Sequence, residues 1–251
     1  MESTRLLECL DVDFGRLRSV VAEADLDAQV PSCPDWTVTD LARHVGAVYL
    51  HKVECMRLGS HPDPWPPEGL NDEEPVSLLD RSYAALAAEF AARSPAEAAF
   101  TWYGPDQTVG FWIRRMAQET AIHRVDAELG ARVPVTPIPA DLAVDGVDEF
   151  LVAFVEYAAK TWPDEFAELL APADGRTVRL ETDGGAWLVQ PTPESVEVRV
   201  SDVDSADAVV HGDPTDLLLW VWNRAPDDAV RISGDPGLVT FLRRVMTAGA
   251  Q

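Results

Sequence analysis

Large apolar residues return at every third or fourth position from Leu6 onward, as Leu6, Leu7, Leu10, Phe14, Leu17, Val20 and Val21. That is the stripe of a helix with one face in a core, and it predicts a first helix over about residues 3–28. A second is predicted over about 37–58, started by Thr37 as N-cap, with Asp40 three positions on to make a near capping box. Trp36 and Leu41 stand where a hydrophobic staple would form. Such a start, worth about 1 kcal/mol, fixes which face of the helix turns inward. That face carries Leu41, His44, Val45 and Val48. "GSHPDPWPPEGLNDEEP" cannot prolong the helix, because proline lacks the amide donor and clashes with the preceding turn. A third helix over about 75–93 keeps Leu78, Leu79, Tyr83, Leu86 and Phe90 in register. "FTWYGPDQTV" reads as an extended piece with a turn at Gly104–Pro105. A fourth helix over about 110–131 holds Phe111, Ile113, Met116, Ile122 and Val125. Four helices of this length predict a four-helix bundle.

Beyond residue 131 the pattern changes. The prolines of "VPVTPIPADL" keep the chain extended, as in a linker, and a helix over about 141–160 follows. The period then drops to two. "RTVRLETD", "AWLVQP", "SVEVRV", "DAVVHG" and "AVRISGD" are strand candidates bounded by Gly, Pro and Asp. "DPTDLLLWVWNR" and "PGLVTFLRRVM" are helices interleaved with them. "SGDPG" lacks the Gly and Lys spacing of a phosphate loop and reads as a strand-to-helix turn. The expected organisation is a helical domain over 1–133 and an α+β domain over 134–251, a sheet with helices packed on it.

Composition narrows the function. With 47% hydrophobic residues and eight Trp, the chain supports a sizeable core. No apolar run reaches the roughly 20 residues of a membrane-spanning helix. The opening "MESTRLLECLDVDFG" is not a secretory signal, so a cytoplasmic protein is expected. A net charge of −23, without a basic cluster, argues against nucleic acid and against acidic membrane surfaces as partners. Cys9, Cys33 and Cys55 are odd in number and have no C-x-x-C spacing, so neither a disulfide framework nor a cysteine zinc site is expected.

Candidate chemistry gathers on two helices. In "GFWIRRMAQETAIHRVDAELG", Glu119 and His123 are four apart and stack on one side of the helix, their Cβ atoms roughly 5–6 Å apart. With His44 from a facing helix the set is His, Glu, His, the kind of three-ligand zinc site that keeps a position open for water or substrate. His51 points nearly the same way as His44 but lies too far along the helix to share its ion, and ranks behind it. Spacing alone leaves alternatives open. A lone histidine on an apolar face is more often a hydrogen-bonded core residue, and Glu119 can equally pair with Arg115 or Arg124. Asp126 and Glu128 can orient His123 as supporting groups, or serve as ordinary surface charges. Cys33 reads as a small apolar loop residue, and Cys55 shares the helical direction of His44.

"CPDWTVTDLARHVG" together with "ETAIHRVDAE" resembles the mycothiol-dependent maleylpyruvate isomerase family of actinobacteria. The resemblance covers essentially the whole chain. It implies a DinB-like four-helix bundle followed by an α+β domain like sterol carrier protein 2. It also implies zinc on His44, Glu119 and His123, and a functional arginine in the C-terminal domain, best placed at Arg224 of "LLLWVWNRAP". Mycothiol would be the thiol cosubstrate and a small electrophile the partner, in cis–trans isomerisation or S-transfer. The acidic, Pro-rich insert at 59–75 has no counterpart in the family pattern. A ligand-binding module without catalysis, and a zinc hydrolase that uses no thiol, are the competing readings.

Overall fold

The computed structural model describes residues 1–200 and 205–249. The chain divides into two compact units, Met1–Thr136 and Pro137–Gln251.

The first unit is built on four long helices, α1 (Ser3–Glu23), α2 (Val38–Leu58), α3 (Pro75–Ala92) and α4 (Val109–Gly130). The apolar stripe of α1 is buried from Leu6 to Val21 and packs on α4, while α2 packs on α3 and on α4. The first helix stops five residues before its predicted end. Asp25 accepts the Asp27 amide on its side chain and the Ala28 amide on its carbonyl, a local turn that competes with further helix. The stretch before α2, which reads as a loop, forms instead a two-stranded antiparallel ribbon of β1 (Gln29–Val30) and β2 (Cys33–Thr37). The capping box is complete. Thr37 Oγ1 accepts the Asp40 amide and Asp40 accepts the Thr37 amide. Gly46 marks the close approach of α2 to α3, where a Cβ would come within 2.7 Å of Leu78 Cγ.

Only Gly110, Arg114, Glu119 and Leu129 escape burial on α4. Its buried charged side chains are held in ion pairs. Arg124 donates to Asp13 on α1 at 3.0 Å and to Glu128 at 2.8 Å, and Glu128 also accepts Arg16 at 2.7 Å. Removing one member of such a buried set typically costs about 3–5 kcal/mol. The network fixes the rotation of α4 against α1 and hence the direction of Glu119 and His123.

In the second unit, α5 (Ala140–Glu149) runs into a π-helical segment, Phe150–Glu156, and then α6 (Tyr157–Thr161). The helix α7 (Pro163–Leu170), which the sequence reading missed, follows with proline in its first turn. Five strands, β3 (Val178–Thr182), β4 (Gly185–Pro191), β5 (Val196–Val200), β6 (Ala208–His211) and β7 (Arg231–Gly234), form one sheet of order β5-β4-β3-β6-β7. The pairs are antiparallel except β3 with β6. The remaining helices are α8 (Pro214–Val221) and α9 (Pro236–Gly249), and α9 packs against β3, β6 and β7. "SGDPG" is the turn into α9, with Asp235 accepting the Gly237 and Leu238 amides.

Candidate metal centre

The seam between α2 and α4 sets His44, Glu119 and His123 face to face. The two helices run antiparallel, so that His44 meets Glu119 and His123, Tyr49 meets Thr120, and Lys52 meets Trp112. A buried hydrogen bond of 2.5 Å between Tyr49 Oη and Thr120 Oγ1 pins the register. Glu119 Oε1 lies 3.3 Å from His44 Nε2 and 3.2 Å from His123 Nε2. Donor atoms of the three residues lie within 4.8 Å of one another. His44 keeps 35% of its side-chain surface exposed against 9% for His123, so the group opens on the His44 side.

Two of the three donors are held from behind. His123 Nδ1 lies 2.9 Å from Asp126 Oδ2, so this ring nitrogen donates to a carboxylate and Nε2 is the nitrogen turned toward the centre. Asp126 is fixed in turn by Ser32 Oγ at 2.5 Å, with Cys33 Sγ at 3.9 Å. Arg115 donates to Glu119 Oε2 at 3.0 Å, which leaves Oε1 facing the imidazoles. Trp36 walls the group with its ring 4.6 Å from that of His44 and 6.1 Å from that of His123. Burial pushes the Glu119 carboxyl up. His123 by charge and hydrogen bond, His44 by hydrogen bond and Arg115 by charge outweigh it and hold the group well below the usual carboxylate range. Burial pulls His123 down, and the carboxylates of Glu119 and Asp126 reverse this and lift it to about 9.

The donor set fits a zinc-type divalent cation. It offers two imidazole nitrogens and one carboxylate oxygen, with a carboxylate behind one histidine and three protein ligands in all. Of the other sequence candidates, Arg115 and Arg124 are buried in their pairs with Glu119 and with Asp13 and Glu128. Glu128 supports Arg124 and Arg16 and does not reach His123's partner position, which Asp126 fills. Arg224 belongs to the second unit, where its Nη1 donates to the Trp222 carbonyl at 2.7 Å. His51 joins a different group, with Cys55 and His61. Burial first, then Lys52 and His61, push His51 down to about 4, and burial pushes the Cys55 thiol up. His61 escaped the sequence reading because it sits in the Pro-rich loop, where no periodicity assigns direction. The His51–Cys55 spacing of four was the available signal. Trp36, read as a staple residue, forms a wall of the centre.

A helical bundle with a His–Glu–His group on one seam, joined to an α+β unit, defines a two-domain class of proteins. The chain belongs to the mycothiol-dependent maleylpyruvate isomerase family. Residues 7–128 match the model of the mycothiol maleylpyruvate isomerase N-terminal domain, and residues 141–240 match the C-terminal domain of the same family. The crystal structure of the mycothiol-dependent maleylpyruvate isomerase aligns over 93% of this chain and 93% of its own at a TM-score of 0.60 and 17% identity. A histidine-to-alanine variant of that enzyme aligns over the same shares at 0.59 and 17%. At this identity the likeness establishes the fold. No curated protein matched the sequence. Among the described residues, no helix is long and apolar enough to cross a membrane.

Proposed function

We propose that the protein is a metal-dependent enzyme that uses a low-molecular-weight thiol, mycothiol by the family's description, for S-transfer or cis–trans isomerisation of a small electrophile. His44, Glu119 and His123 would hold the ion. The observation that carries this reading is the convergence of three donors from two helices within 4.8 Å, with His123 backed by Asp126. A zinc-type ion bound there supplies Lewis acidity, which drives a coordinated thiol to its thiolate.

The chain's own groups do the rest. Asp126 holds the proton on His123 Nδ1 and fixes the tautomer. Arg115 fixes the carboxylate of Glu119 in one orientation. The Trp36 ring shields the side of the group it covers from water. In the isomerase branch the thiol sulfur adds to one carbon of a cis double bond. The resulting single bond turns, and departure of the same sulfur restores a trans double bond and the free thiol. In the transferase branch the carbon–sulfur bond is kept and the electrophile's leaving group departs. The strongly acidic chain, at −23, is a poor attractor of a dianion such as maleylpyruvate, which favours a less charged electrophile.

The test is metal analysis of the purified protein and of His44→Ala and His123→Ala. Each variant is expected to carry one equivalent fewer than wild type. Incubation with mycothiol and a panel of electrophiles, read by mass spectrometry, is expected to give a thiol adduct or an isomer only when thiol is added. Turnover without thiol would favour the hydrolase. A wild-type protein that loses no metal in either variant and shows no thiol-dependent turnover would overturn the proposal.

A further inference from the structure

Four of the chain's five histidines fall into two groups, and the second group lies away from the centre just described. His51 and Cys55 are one turn apart on α2, with Cys55 Sγ 3.5 Å from His51 Nδ1. Gly59, with φ at 68°, ends the helix in a left-handed turn that only glycine takes without strain, and the chain that leaves it brings His61 back. The His61 ring centroid stands 5.8 Å from that of His51. Donor atoms of His51, Cys55 and His61 lie within 4.8 Å of one another.

Aromatic rings surround the three. Trp65, from the same Pro-rich loop, stands edge-on to His51 at 5.0 Å. Phe100 stands edge-on to His61 at 4.7 Å. Cys55 is buried, His51 half-buried and His61 exposed, so the group has a dry floor and an open side. A cysteine–histidine contact within one helix is ordinary core packing. It does not account for an exposed third imidazole brought to the same point by a loop. Two imidazoles and a sulfur are the donors that borderline and soft transition metals prefer, and three of them leave one position of a tetrahedral ion free.

We propose that His51, Cys55 and His61 form a second metal site, for a thiophilic divalent ion of the zinc class. Binding replaces the S–H bond of Cys55 with a sulfur–metal bond and releases the proton to solvent. Lys52 is the group the ion must displace, since its Nζ lies 3.2 Å from His51 Nδ1. That ammonium also sits 5.1 Å from the centroid of the Trp112 ring, an aromatic face that can keep it. Because His61 belongs to the loop and His51 and Cys55 to α2, the ion would fasten the 59–75 segment to the helix.

The two centres differ in one donor, which makes them separable. The His44–Glu119–His123 group contains no sulfur, so a sulfur-to-cobalt charge-transfer absorption reports only the second site. Metal-free full-length protein is titrated with cobalt(II). The band is expected to saturate by two equivalents per chain in wild type, where both centres fill, and at one equivalent in His44→Ala. It is expected to vanish in Cys55→Ser. In His61→Ala, cobalt affinity should fall by at least the roughly 10–100-fold that loss of a supporting hydrogen bond costs a metal site. Absence of the band in wild type, or its survival in Cys55→Ser, overturns the proposal. So does undiminished affinity in His61→Ala, an exposed position whose substitution leaves the core intact.

Discussion

At His123 two carboxylates act on one ring. Glu119 faces Nε2 and Asp126 holds Nδ1, and the second contact decides what the first can do. An imidazole whose Nδ1 proton is anchored presents Nε2 as a lone pair, always in the same direction. Replacing Asp126 by Asn keeps the size of the side chain and removes its charge. We expect the affinity for the metal of this centre to fall about 10–100-fold in Asp126→Asn, measured by competition with a chelator, with the helical circular dichroism unchanged. Of the residues involved, His44, Glu119 and His123 were legible because helix periodicity assigns each a face. Trp36 was visible as a large apolar residue, but its partners were not, since they depend on how β2 enters α2. His61 was invisible for the same reason on a larger scale. A loop with prolines at 62, 64, 66 and 67 has no period from which to read a direction.

Helix starts carry much of the information at the level of elements. The capping box at Thr37 and Asp40 is as the sequence spells it, and it sets α2 two turns before His44. The start of α3 uses a different device. Glu74 accepts the amides of Ser77 and Val76 on its carboxylate, and these bonds hold its pKa below the ordinary glutamate value. A depressed pKa gives a stabilisation that is present above the unfolded glutamate range and lost as pH falls through the folded value. Glu74→Ala should therefore lower stability by about 0.5–1 kcal/mol at pH 7, the low end of the capping range because the group is exposed. The difference from wild type should shrink toward zero in acid, below the ordinary carboxylate range. Urea denaturation of both proteins at neutral and acid pH measures it. The sequence was less informative at helix ends. The turn at Asp25 closes α1 early through a side chain's local hydrogen bond, and the π-helical turn at Phe150–Glu156 leaves the apolar pattern of its helix unbroken. Short α7, at eight residues, offers too few turns for a period to stand out.

At the scale of the whole chain, charge sets the terms of encounter. A surplus of 23 negative charges repels anions over distances that salt shortens, the screening length being about 10 Å at 0.1 M. If the substrate is an anionic electrophile, kcat/KM should rise as salt is added from low ionic strength, while a neutral electrophile should show little change. Steady-state rates for a charged and an uncharged member of one electrophile series distinguish the two. The division into a helical and an α+β unit was read from the Pro-rich linker after residue 131 and from the drop of the period to two beyond residue 160.

The burial of α4 on nearly every side carries a further consequence, for motion. A helix packed between α1, α2 and β1, and whose side chains are cross-tied through Arg124, Asp13 and Glu128, resists local opening. Its backbone deuterium uptake should be the slowest in the first unit and should follow global unfolding. Amides in the Pro-rich strap after α2 should exchange early. Glu119 and His123 thus ride on the stretch of chain that yields last, while one donor of the second cluster rides on a stretch that yields first.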